Sequence, residues 1–274
     1  MAASSPSNIV ATDHWVTHAQ GQIFVRSWSD STARSDHAPI ILLHDSLGSV
    51  ELWRDFPARL AAASGRCVIA YDRLGFGRSD ARTDVLTPAF VAAEADTCFA
   101  AVRAQLGIRR FVVFGHSVGG AMAIHCAARF EEDCEALITE SAQAFVEERT
   151  LDGIRAAKAQ FAGAEQFGRL EKYHGNKAEW VLDAWTGTWL SAQFAAWSLE
   201  AVLARVSAPT LAIHGGDDEY GSTRHPALIA EWSNADVRVE ILPQLHHLPH
   251  REQPEMVAGL VCDFLRLAHC RRQG

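Results

Sequence analysis

No two of the six cysteines in this chain of 274 residues stand in a C-x-x-C spacing. Cys67, Cys98, Cys126, Cys134, Cys262 and Cys270 lie mostly in apolar runs, the setting of buried reduced thiols. That argues against a disulfide scaffold and for a reducing compartment, so a cytoplasmic protein is expected. A basic stripe is also missing. The 25 Lys and Arg face 33 Asp and Glu, for a net charge of −8 and a pI near 5.9. Nucleic acid is therefore not an expected partner. The opening stretch, MAASSPSNIVATDHW, lacks the basic segment and apolar run of a signal peptide. The most apolar long window, Phe111 to Phe130, holds His116, Ser117, His125, Arg129 and three glycines. It makes a poor membrane span, and no membrane partner is expected. Neither an internal repeat nor a low-complexity tract is visible. What remains is ordinary globular composition, 48% hydrophobic and 21% charged.

The chain has a rhythm. Trp15–Trp28 reads as two short strands around Gly21. Apolar runs follow at Ile40–Leu43, Val68–Tyr71, Phe111–Phe114, Leu137–Thr139, Leu211–Ile213 and Val237–Leu242. These runs are continuous rather than alternating, which suits strands buried on both faces of a parallel sheet. Helical stretches lie between them, at Leu52–Ser64, Pro88–Leu106, Val118–Phe130, Arg224–Ser233 and Pro254–Ala268. Strand and helix in alternation imply a doubly wound α/β sheet.

From Gln143 to Val206 no strand-like run occurs, and Trp180, Trp185, Trp189 and Trp197 fall in this segment. It is too long for a loop in a compact domain. We read 143–205 as an inserted helical cap on a core formed by 1–142 and 206–274. At least two of the tryptophans are expected to be its apolar anchors.

The sharpest motif is Gly115-His-Ser-Val-Gly119, which fits G-x-S-x-G. An apolar strand runs into it and a helix rich in small residues leaves it. This is the context of a nucleophile elbow, a tight turn whose flanking positions tolerate little side chain. Such a pentapeptide is common by chance, but not between a buried strand and a helix. Ser117 is the candidate nucleophile, and the Val118 N–H at the helix start can stabilise an oxyanion. A hydroxyl near neutral pH needs a base, and the base needs an orienting carboxylate. Candidates follow the last two strands: Asp217 and Asp218, then His246, His247 and His250. Residues at the carboxyl ends of parallel strands meet on one edge of the sheet.

Four segments resemble the α/β-hydrolase family over nearly the whole length. "LLHDSLGS" (42–49) is similar to its oxyanion loop. "YDRLGFGRSD" (71–80) is similar to its D-x-x-G-x-G-x-S loop. "GHSVGG" (115–120) is the elbow. "IHGGDDEYG" with "HHLPHREQPE" resembles the acid loop and the H-x-x-x-x-E-x-P segment. The resemblance implies an α/β-hydrolase fold, a mostly parallel central sheet with helices on both faces, and a Ser–acid–His order. It implies Asp218 as the acid, four residues past His214, with Asp217 as the fallback. It implies His247 as the base, ahead of Glu252 and Pro254, with His246 in a position usually held by glycine. Ser46 and Val118 would give the oxyanion-hole N–H groups.

Asp45 replaces a familiar glycine. A carboxylate aimed into the hole would oppose the developing charge, so its side chain is expected to turn away and bond backbone amides. His44 is expected to be structural, and Asp72, Arg73, Arg78 and Asp80 to organise their loop. Glu140 is a remote alternative acid. Adjacent His246 and His247 cannot easily face one ion, no zinc-type spacing is present, and neither a metal nor a cofactor is expected.

The implied reaction is cleavage of a carboxylic ester, thioester or lactone through an acyl-enzyme. The tryptophan-rich segment favours a small apolar or aromatic substrate, with Trp185 and Trp189 as candidate binding residues. Carbon–carbon bond hydrolysis and cofactor-free haloperoxidase-like chemistry are alternatives, and a non-catalytic small-molecule binder is a reading of another class. The stretches "LDGIRAAKAQF" and "YHGNKAEWVLDAW" faintly resemble biphenyl-hydrolase-like proteins. Those carry an acidic residue after the nucleophile, where this chain has Val118.

Overall fold

The computed structural model describes residues 8–31 and 37–273. One sheet holds eight strands: β1 (Ile9–His18), β2 (Gly21–Asp30), β3 (Ile40–Leu43), β4 (Val68–Tyr71), β5 (Phe111–His116), β6 (Cys134–Glu140), β7 (Thr210–Gly215) and β8 (Val237–Leu242). Their order across it is β1-β2-β4-β3-β5-β6-β7-β8. β2 runs antiparallel to both β1 and β4, and every other pairing is parallel. The expected mostly parallel α/β sheet is thus present.

The continuous apolar runs have a direct cause. In β3, Ile41 and Leu43 join one apolar cluster while Ile40 and Leu42 join another on the opposite face. In β5, Phe111 and Val113 go one way, Val112 and Phe114 the other. α1 (Phe56–Ser64) and α11 (Pro254–Gln273) cover the second cluster. The first is covered by α2 (Phe90–Ala93), α3 (Cys98–Gln105), α4 (Val118–Arg129), α8 (Glu200–Leu203) and α9 (Arg224–Trp232). β8 departs from the expectation of two buried faces. As an edge strand it leaves Val239 and Ile241 exposed.

Two expected helices are broken. Leu52–Ser64 begins as a 3-10 turn, Val50–Trp53, and α1 starts only after Arg54, whose φ of 55° is not helical. Pro88–Leu106 is interrupted at Thr97, where φ is −111° and ψ −104° and the hydroxyl bonds the Ala93 carbonyl.

Between β6 and β7 lie α5 (Glu148–Phe161), α6 (Ala164–His174) and α7 (Ala178–Trp189), ahead of α8. Outside the eight strands, the described residues add a single antiparallel bridge, Phe145 with Ser198. Leu170, Ala178 and Val181 form a small cluster with Phe76 of the core. Polar anchors add to it. His174 accepts from the Gly77 N–H at 2.9 Å and, through Nε2, bonds the Leu47 carbonyl at 3.0 Å. Lys177 Nζ donates to the carbonyls of Phe76, Gly77 and Ser79. No helix among the described residues is long and apolar enough to cross a membrane. All six cysteines are free thiols.

Candidate active site

β5 passes into α4 at Ser117, whose backbone takes φ 55° and ψ −125°. Such a conformation costs a non-glycine residue on the order of 1–3 kcal/mol. Its neighbours allow it. A Cβ on Gly115 would lie 2.0 Å from the Gly119 carbonyl oxygen, and one on Gly119 2.2 Å from that of Leu43. Only glycine lets helix and sheet approach this closely. The Ser117 N–H donates to the Glu140 carbonyl at 2.8 Å, pinning the elbow to β6. Val118 is the first residue of α4, so its N–H has no acceptor within the helix.

Asp218 follows β7 and is fully buried. One carboxylate oxygen accepts from the N–H groups of Tyr220 at 2.8 Å and Gly221 at 3.2 Å. Both oxygens lie 2.9 Å from His247 Nδ1. Burial pushes Asp218 up, but the facing imidazole and the Tyr220 amide pull harder and hold it at about 2. For His247 burial lowers the pKa, but the Asp218 carboxylate, joined by the charges of Glu219 and Asp45, raises it, leaving it above its ordinary value. An ionised Asp218 accepts a hydrogen bond from the Nδ1–H, which leaves the Nε2 lone pair as the basic site. Asp217, the fallback, is exposed, and its N–H bonds the Leu245 carbonyl.

Ser46, Ser117 and His247 border one cavity of about 200 Å³. Thr150 and Ile154 of α5 and Trp185 and Trp189 of α7 line it from the helices between β6 and β7. Each pair is four residues apart and so shares one helix face. Asp45, Leu47, Gln143, Glu219, Tyr220 and Leu248 complete it. The Ser117 hydroxyl donates to Gln143 Oε1 at 3.5 Å, and among the described residues no hydrogen bond joins it to His247. Catalytic contacts of this kind are often long until substrate binds. Trp180 and Trp197 are not among the lining residues. Trp180 packs on Phe76, and Trp197 stacks on Phe194.

Sequence reasoning missed Gln143, Thr150, Ile154, Glu219, Tyr220 and Leu248. For Gln143 a signal existed: it stands three residues beyond β6, at the carboxyl end of a parallel strand.

The Asp45 side chain does not bond backbone amides as expected. Oδ2 lies 3.8 Å from His116 Nδ1, and Oδ1 is buried with no hydrogen-bond partner among the described residues. The loop is held instead through the Asp45 carbonyl, which accepts from Arg73 Nη2 at 2.7 Å and His44 Nδ1 at 2.8 Å. His44 is buried and its Nε2 accepts from the Arg73 N–H at 3.2 Å. Asp72 takes the N–H groups of Val50 and Arg78.

The three clustered histidines serve three different carboxylates. His247 meets Asp218. His246 is exposed and lies 3.2 Å from Glu252. His250, in the short helix α10 (Pro249–Glu252), is buried with its Nδ1 2.5 Å from Glu140. Glu140 therefore pairs with His250 and not with His247. His116, Glu140 and His250 bring ligand-type atoms within 4.8 Å of one another, the one group among the described residues that could hold a metal ion. Their bonds already use both Glu140 oxygens, His250 Nδ1 and His116 Nε2, the last on the His247 carbonyl. The group is thus satisfied without an ion.

Comparison with known proteins identifies the fold family. A family model described as alpha/beta hydrolase fold matches residues 38–254. A proline iminopeptidase of Lactobacillus delbrueckii subsp. lactis is 33% identical over 113 residues, 41% of this chain and 37% of that protein. The match thus spans little more than a third of that relative's length. The crystal structure of a proline iminopeptidase from Mycobacterium smegmatis superposes with a TM-score of 0.73 at 22% identity, covering 95% of this chain and 100% of that one. The carboxylesterase CesB (YbfK) of Bacillus subtilis gives 0.70 at 20% identity, covering 94% and 93%. At these identities the two structures speak for the fold.

Proposed function

The chain belongs to the α/β-hydrolase fold family, and from that premise we propose that it is a serine hydrolase acting on a carboxylic ester, thioester or lactone of a small apolar or aromatic substrate. One observation carries the reading. The strained Ser117 and the Asp218-paired His247 border the same cavity.

Ser117 Oγ attacks the acyl carbon as His247 Nε2 takes its proton. The N–H groups of Ser46 and Val118 hold the oxyanion, and Asp218 stabilises the imidazolium. The tetrahedral species collapses as His247 returns the proton to the departing alkoxide. Water, deprotonated by His247, then frees the acid and restores Ser117. No cofactor takes part in these steps. Helices α5 to α7, within 143–205, serve as a cap, and Trp185 and Trp189 present flat apolar walls to the acyl or alcohol part.

Cleavage of an amide next to an amine is a second reading. The proline iminopeptidase relative favours it, and so does a cavity bordered by two carboxylates, Asp45 and Glu219, with no Lys or Arg in its lining.

A fluorophosphonate probe tests the mechanism. One adduct is expected on Ser117 by intact mass, and Ser117→Ala should lower hydrolysis of 4-nitrophenyl acetate by at least ~10³-fold. An unlabelled, inactive chain sinks it and leaves the non-catalytic binder, and an active alanine variant sinks Ser117 as the nucleophile. Proline 4-nitroanilide assayed beside the ester separates the two hydrolase readings.

A further inference from the structure

The peptide groups around His247 are gripped by side chains. Glu252 accepts from the His246 N–H at 3.0 Å and Glu219 from the His247 N–H at 3.2 Å. His116 Nε2 donates to the His247 carbonyl at 2.7 Å, and Glu140 accepts from the His250 N–H at 2.8 Å. His116 and Glu140 end the adjacent strands β5 and β6, and both are buried. They also build the elbow: His116 precedes Ser117, and the Glu140 carbonyl takes the Ser117 N–H. The strand ends that set the hydroxyl therefore also set the loop of the imidazole.

We infer that His116, His250 and Glu140 are positioning residues that register the His247 loop against the nucleophile elbow. Asp218 fixes the ring through Nδ1 but leaves the main chain free to shift. His116 closes that freedom, because a buried carbonyl needs a donor and His116 supplies it. His250, with Nδ1 and N–H both on Glu140, ties the chain three residues on. A displacement of about 1 Å between reacting groups costs about 100-fold in rate, so such a strut acts on kcat.

The inference rests on His247 acting as the base. The test compares wild type with His116→Leu, His116→Gln and Glu140→Gln on 4-nitrophenyl acetate, competent sites being counted by fluorophosphonate titration. His116→Leu is expected to lower kcat per titrated site about 100-fold with KM within about twofold. His116→Gln, whose amide N–H can replace the lost donor, should recover most of it. Glu140→Gln keeps one acceptor and should lose about tenfold; it carries the test if the leucine variant does not fold. A purely structural role would lower thermal stability and leave kcat per site unchanged, so kcat within about threefold of wild type in both His116→Leu and Glu140→Gln overturns the positioning role alone. A wild-type chain that takes no adduct overturns the base role of His247 and the positioning role with it.

Discussion

Two histidines three residues apart in the chain each pair with a carboxylate, and the two pairs behave in opposite ways. His247 with Asp218 and His250 with Glu140 share a plan: Nδ1 against a buried carboxylate at the carboxyl end of a parallel strand. Their surroundings differ. Asp218 receives two backbone N–H groups, and His247 borders a cavity of about 200 Å³ together with Ser117. His250 is walled in by Trp53 at 4.7 Å, His116 at 4.9 Å and Phe56 at 5.5 Å between ring centroids, and borders a space of about 10 Å³. Charge is stable in the first pair, with the carboxyl held at about 2 and the imidazole raised. In the second, burial disfavours it on both partners, pushing Glu140 up to about 7 and His250 down to about 3. The pair alone does not make a base. Donors that keep the carboxylate ionised, and room for a substrate, do.

The largest effect should come from Asp218→Asn. The amide would favour the wrong imidazole tautomer and lower kcat by about 10⁴-fold with the fold intact. If Glu140→Gln cost as much, the two pairs would not differ in kind. Steady-state kinetics on both variants decide this. Next in size is a stability effect. Glu140→Ala strands the N–H and Nδ1 of His250 in a buried site, at a cost of about 2–5 kcal/mol. Urea unfolding measures it, and an unchanged midpoint would mean that the second pair holds nothing.

A smaller effect is read from pH. The active form of His247 is neutral and its pKa is raised, so kcat/KM should fall on the acid side with a midpoint above 6.5. Removing the Asp218 charge leaves burial, which acts the other way, and the midpoint should drop in Asp218→Asn. The signs for stability follow from the same shifts. The raised His247 contributes stability fully present below its unfolded pKa, lost as pH rises through the folded one. The depressed Asp218 contributes stability above its unfolded value, lost as pH falls toward about 2. A pH–rate profile that stays put in Asp218→Asn would break the assignment of the first pair.

Much of the frame was legible because its causes are local. A strand buried on both faces is apolar along its length, which is what the runs Ile40–Leu43, Val68–Tyr71, Phe111–Phe114 and Leu211–Ile213 show in the sequence. Gly115 is dictated by sterics within five residues, whereas Gly119 answers to the close approach of Leu43 on β3. The choice of Asp218 over Asp217 needed the resemblance to a family, since both carboxylates follow the same strand. The His250–Glu140 pair was out of reach. Its partners are 110 residues apart and meet only because β6 lies beside β7 and the loop after β8 folds back over both. Asp45 was misjudged for a related reason. Which atoms of the 44–49 loop are gripped depends on Arg73, a residue of a different loop. The helix breaks at Arg54 and Thr97 rest on single backbone angles that composition does not encode.

The third pair sharpens the contrast by its expected silence. His246 meets Glu252, and that bond raises its pKa, yet the ring is exposed and water screens the charge. Its N–H, not its ring, ties it to the His247 loop, and glycine at this position keeps that N–H. His246→Gly should therefore leave kcat within about twofold of wild type and the acid midpoint of kcat/KM unmoved. The pH–rate profile is the discriminating measurement, because a charge on the residue next to the base acts on its pKa before it acts on anything else. A midpoint displaced by about half a unit would mean that solvent does not screen His246 from His247. Exposure would then have to give way to proximity as the rule that separates the three pairs.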